Sequence, residues 1–114
     1  IKGKSNVFDA STDLTLDEEM EIISNLDLMI SMDSANGHIA SLFGIKVLTI
    51  WGATHPFTGY GPFKQPEKNS ITPNLRNYPN LPVTIYGSAC PEKYLDVINT
   101  IKPEEIAKRI NEII

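Results

Sequence analysis

The chain has 114 residues, 41% hydrophobic and 21% charged, which is ordinary globular material able to bury a core. Its formal net charge of −4 argues against a nucleic-acid partner, because that affinity rests on clustered Lys and Arg. No apolar run approaches the ~20 residues of a membrane span, and the single cysteine, Cys90, excludes an internal disulfide and a multi-cysteine metal site.

In chain order, Asn6-Val7-Phe8-Asp9-Ala10 predicts a short strand. Thr15-Leu16-Asp17-Glu18 has the spacing of a capping box, with acids where the helix dipole favours them, so a helix is expected over 15–26. Leu16, Met20, Ile23 and Leu26 recur at helical spacing and predict one buried stripe. Asn25-Leu26-Asp27 closes that helix and feeds an apolar strand at 28–32. A small polar loop, Asp33 to His38, leads into a short helix over 38–43, stopped by Gly44. A third apolar strand follows, from Ile45 to Trp51. The order β-α-β-α-β with nearly continuous apolar strands predicts an α/β fold, its parallel sheet covered on both faces.

From Gly52 to Pro82 the pattern changes. Six of the eight prolines lie there, with Gly59 and Gly61, and no period emerges. An irregular excursion of that length in a compact domain is usually functional or mobile. Val83-Thr84-Ile85-Tyr86 reads as a fourth strand or extended segment, and Pro91 to Ile98 as a short helix. The last helix starts at Pro103, with Glu104 and Glu105 in its first turn and Ile106, Ile110, Ile113 and Ile114 as its apolar face. Three strands make a meagre sheet, so residues 1–114 are expected to be the back end of a larger chain. With no signal-peptide core at its start, the cytoplasm is the expected compartment.

The loop between the second and third strands carries the chemistry. A strand, a loop of small residues and a helix N-terminus point free backbone N–H groups, with roughly half a positive charge, above the carboxyl edge of the sheet. Ser34, Ala35 and Gly37 are small enough to let a phosphate approach the backbone. Asp33 repels a phosphate but accepts hydrogen bonds from sugar hydroxyls, a combination that suits a nucleotide-sugar better than free phosphate. The competing reading is that Asp33 and Ser34 merely cap the helix and that His38 is a surface residue of its first turn. Other chemistries lack their parts. Gly59-Tyr60-Gly61 has Lys64 where a dinucleotide fingerprint needs its third glycine, and no Walker lysine follows a glycine-rich loop. His38 and His55 have no second ligand at metal spacing, and Ser34 lacks the glycines of a nucleophile elbow. Neither a metal nor a cofactor is expected.

In this context Asp33-Ser34-Ala35-x-x-His38-Ile39-Ala40, then Phe43-Gly44 and Gly52-Ala53-Thr54-His55-Pro56, resembles the family 9 glycosyltransferases, the heptosyltransferases of lipopolysaccharide assembly. The tail Ile101-Lys102-Pro103-Glu104-Glu105-Ile106 is similar to the start of their closing helix, so the resemblance covers roughly residues 6–114. It implies the Rossmann-like C-terminal half of a two-domain GT-B enzyme, the half that binds the nucleotide-sugar donor. Carried over by motif, Asp33 contacts the sugar, while the amides of Ser34 and Ala35, with Asn36, Gly37 and His38, surround the diphosphate. Leu14 and Thr15 fall on the segment beside the nucleotide base, an adenine in an ADP-heptose-like donor. The lipid-linked or glycan acceptor and the catalytic carboxylate are expected in the missing half. That would place a monomeric enzyme at the inner face of the inner membrane, inverting anomeric configuration without an obligatory metal. Ala35 stands where the family usually has glycine, and Cys90 is alone where many relatives carry several cysteines. A non-catalytic nucleotide- or phosphate-binding α/β module is the alternative.

Overall fold

The computed structural model describes residues 5–11, 13–86 and 89–114. Its elements run α1 (Leu16–Ser24), β1 (Leu28–Met32), α2 (Ala35–Leu42), β2 (Lys46–Ile50), β3 (Ser70–Ile71) and α3 (Pro103–Ile113), with short 3-10 turns between β2 and α3. The sheet has three parallel strands in the order β1-β2-β3. Leu28 pairs with Lys46 and Met32 with Ile50, while β3 reaches only Thr49 and Ile50. The fold is α/β, as the alternating apolar runs predict.

Strand alternation distributes the core over two faces. Val47 points to one side, where it packs with Ile23 of α1 and Ala40 of α2. Leu48 points to the other, where it meets Ile71 and Ile101 beneath Ile106, Ile110 and Ile113 of α3. Val47, Leu48, Ala40 and Trp51 are wholly buried. The excursion after β2 folds onto a third cluster of its own, Leu81, Tyr94 and Val97.

Gln65 completes the sheet where β3 falls short. Its Oε1 accepts from the Val47 amide at 2.9 Å and its Nε2 donates to the Ile45 carbonyl at 3.1 Å. One side chain thus takes the place of a strand beside the first half of β2. At the same end Lys46 donates from Nζ to the Ile113 carbonyl at 2.9 Å, where a cation complements the C-terminus of α3.

Several expectations need correction. Residues 6–10 form no strand, and Phe8 is 89% exposed. A strand needs a ladder partner, and the outer edge of β1 pairs with nothing among the described residues. The capping box of α1 is present, with Thr15 as N-cap, but α1 stops at Ser24 and the stripe is only partly buried. Ile23 is covered, whereas Leu16 lies on solvent because α1 leans on α2 through its second half. Residues 83–86 form no strand and run through bends at Val83, Ile85 and Tyr86, and the stretch from 91 carries two 3-10 turns, Glu92–Tyr94 and Val97–Thr100, in place of one helix. Ile114 lies past the end of α3 and is exposed. Among the described residues, no helix is long and apolar enough to cross a membrane.

Candidate functional site

β1 and β2 end side by side, and the chain leaves them in opposite ways. After Met32 it turns through Asp33 and Ser34 directly into α2, while after Ile50 it runs through Trp51 and Gly52 into the irregular excursion. Trp51 is buried and donates from Nε1 to Ser70 Oγ at 3.2 Å, which fixes that exit. An open cleft of about 540 Å³ lies between the two departures, at the carboxyl edge of the sheet. This is where ligands bind in open α/β sheets.

Helix α2 begins at Ala35, three residues before the start expected from the sequence. Residues 35–38 are therefore its first turn rather than a loop. Ser34 is the N-cap in extended backbone, but its side chain makes no capping bond. Ser31 Oγ lies 3.0 Å from Ser34 Oγ and donates to the Met32 carbonyl at 2.7 Å, so the Ser34 hydroxyl is the donor between the two. The first-turn amides of α2 are thus left without a side-chain cap, and that end carries the dipole's positive charge. Asp33 is half-buried and makes no ion pair or hydrogen bond within the described residues. It is not a capping residue.

Asp33, Ser34, Ala35 and His38 all line the cleft. Asn36 and Gly37 do not. Asn36 faces solvent. Gly37 is buried against the sheet, where an added Cβ would stand 2.9 Å from Ser31 Oγ, so its smallness serves helix-on-strand packing. Leu14 and Thr15 also lie outside the lining, and Thr15 is occupied as the cap of α1.

The opposite departure supplies residues that sequence reasoning missed: Thr54, Tyr60, Thr84, Tyr86, Cys90 and Leu95. Segment 83–86 is tied to the chain just beyond β2 by the Val83 amide, which donates to the Ala53 carbonyl at 3.0 Å. That bond brings Tyr86 near Tyr60, with ring centroids 6.4 Å apart and planes tilted by 46°. Hydrogen bonding to Tyr86 raises the Tyr60 phenol above its ordinary value, helped by the Tyr86 charge, by burial and by the charge of Asp33. The only sequence signal for this pair was Gly59-Tyr60-Gly61, an aromatic presented by a turn.

The turn before Tyr60 is braced. His55 is 5% exposed, and its Nδ1 accepts from the Phe57 amide at 3.2 Å, capping the 3-10 turn Pro56–Thr58. Burial pushes its pKa down, which keeps the acceptor lone pair available. Gly59 then takes left-handed backbone at φ 81°, a conformation few other residues adopt, and hands the chain to Tyr60.

The description glycosyltransferase family 9 (heptosyltransferase) matches residues 5–92, a span that holds every cleft-lining residue except Leu95. No curated protein and no solved structure matches the chain.

Proposed function

The chain belongs to glycosyltransferase family 9, and we propose that its cleft is the donor site of an inverting transferase for which the donor is an ADP-heptose-like nucleotide-sugar. The observation that carries this reading is the uncapped N-terminus of α2 opening beside a half-buried, unpaired Asp33. The two features divide the work between them. The amides of Ser34 and Ala35, with His38, hold the diphosphate. Asp33, repelled by phosphate, accepts from the sugar's hydroxyls.

As the glycosidic bond to the diphosphate breaks, negative charge grows on the leaving phosphate oxygen. Fixed amides and a helix dipole stabilise that charge without having to reorient. Met32, Ile50, Ile85 and Leu95 supply the apolar part of the cleft's lining. In this reading the chain is the donor-binding half of a GT-B enzyme of lipopolysaccharide or cell-surface glycan synthesis. A second half holds the acceptor and the carboxylate that activates it, at the cytoplasmic face of the membrane. Leu14 beside the nucleotide base belongs to the same proposal, with the base lying beyond the cleft proper.

Titration of the chain with ADP, followed through its backbone amide signals, tests the site. The signals of Ser34, Ala35 and His38 are expected to shift, and those of α3 to stay. Unmoved signals over 33–38 at millimolar ADP would reject the reading.

A further inference from the structure

We propose that Tyr60 and Tyr86 form the sugar-facing wall of the cleft, their rings packing on the carbon face of the donor sugar and their hydroxyls joining Asp33 in reading its hydroxyl groups. This rests on the donor-site reading above and deepens it, since it names the residues that distinguish a sugar-nucleotide from the bare nucleotide.

Position comes first. Both tyrosines line the same cleft as Asp33, and they arrive from segments far apart in sequence. Their meeting is a built feature. The Val83–Ala53 bond anchors one segment, while the His55 cap and the left-handed Gly59 fix the turn that presents the other. Asp33 lies close enough for its charge to act on the Tyr60 phenol. If the diphosphate sits on the α2 amides, the group next to Asp33 and Tyr60 is the sugar.

Chemistry selects the same occupant. Two phenol hydroxyls and a carboxylate offer both donors and an acceptor, which complements vicinal hydroxyls. They suit a phosphate poorly, because they bring no cation and Asp33 repels it. A base sandwiched between the rings would need about 7 Å between parallel planes, twice the carbon–carbon contact distance. Rings 6.4 Å apart and tilted by 46° leave no such slot. They do present an angled aromatic surface, and Tyr86, at 82% exposed, has apolar area that only a ligand or partner would cover.

The test compares ADP with ADP-heptose on the wild-type chain and on the variants Tyr60→Phe, Tyr86→Phe and the double Tyr60→Ala/Tyr86→Ala. Thermal unfolding of each variant confirms that it is folded. Each Phe variant is expected to raise the Kd for ADP-heptose about three- to tenfold, the range of one lost hydrogen bond. The double Ala variant loses more, and ADP stays within twofold throughout. Unchanged ADP-heptose affinity, or equal losses for ADP and ADP-heptose, would overturn the proposal. The two readings fail separately. If ADP leaves Ser34, Ala35 and His38 unmoved in the wild-type chain, the donor site falls and the tyrosine wall with it. If ADP binds there while the tyrosine variants change nothing, only the wall falls.

Discussion

Gly37 and Ser31 face each other so closely that a Cβ on Gly37 would stand 2.9 Å from Ser31 Oγ and 3.1 Å from its Cβ. This contact sets how near α2 lies to β1, and therefore where the helix's amides meet the cleft. Ser31 is itself held by its bonds to the Met32 carbonyl and to Ser34, so it has little room to give.

Gly37→Ala is accordingly expected to destabilise the chain even though alanine is the better helix former. Overpacking costs about 1–3 kcal/mol, against roughly 1 kcal/mol gained in helix propensity. The net loss is up to about 2 kcal/mol, read as a lower melting temperature. In a Ser31→Ala background, where the nearest atom is gone, the same substitution should cost less. Additive losses in that double-mutant cycle would mean that the contact carries no coupling.

Gln65 offers a sharper test of packing. Gln65→Ala leaves the Val47 amide and the Ile45 carbonyl without partners beside a wholly buried residue, at about 1–3 kcal/mol for each group left unsatisfied. Gln65→Glu keeps the acceptor for Val47 but cannot donate to Ile45, so chemical denaturation should rank it between wild type and Gln65→Ala. Equal stability of all three would show that water replaces the side chain at no cost.

The parts of this molecule that follow from local sequence were legible before the fold was known. Thr15 and Glu18 announce their capping box, and Pro103 with two glutamates announces α3, because the causes of those helix starts lie within four residues. That Asp33, Ser34, Ala35 and His38 line one cleft is also local, because one strand end and one helix turn bring them there. What failed is non-local. Whether 6–10 becomes a strand depends on a ladder partner. The two-residue β3 is defined by its register on Thr49 and Ile50, and nothing in Ser70-Ile71 signals it. Tyr60 and Tyr86 meet through a backbone bond between Val83 and Ala53, which no periodicity reveals. The packing need for Gly37 is likewise hidden in the sequence, since it arises from Ser31 on the neighbouring strand.

His55 predicts a pH dependence of defined sign. Its folded pKa is depressed by burial, so the unfolded chain binds the proton more readily. The resulting stability is fully present above the ordinary histidine pKa of about 6.5 and is lost as pH falls below it, toward the folded value. His55→Asn, whose Oδ1 can still accept from the Phe57 amide, should remove that slope below about pH 6.5 while keeping neutral-pH stability near wild type. His55→Ala should lower stability at both ends by loss of the cap. An unchanged slope in His55→Asn would assign the acid sensitivity elsewhere.

Asp33 decides between a sugar-binding and a structural carboxylate. Because it makes no internal bond among the described residues, Asp33→Ala is expected to leave the melting temperature within a degree or two of wild type. If it accepts from donor-sugar hydroxyls, the substitution removes hydrogen bonds to a charged group, worth roughly 1.5–3 kcal/mol. In the complete transferase that is on the order of a tenfold to hundredfold fall in kcat/KM. Affinity for ADP alone should be unchanged or slightly higher, since a negative charge near the phosphates has gone. Asp33→Asn refines the comparison, keeping the shape and one acceptor oxygen while removing the charge. It should gain the same ADP affinity as Asp33→Ala yet lose less of the sugar's contribution. A lowered melting temperature, with ADP and ADP-heptose weakened alike, would mean that Asp33 holds the turn into α2 and does not read the sugar.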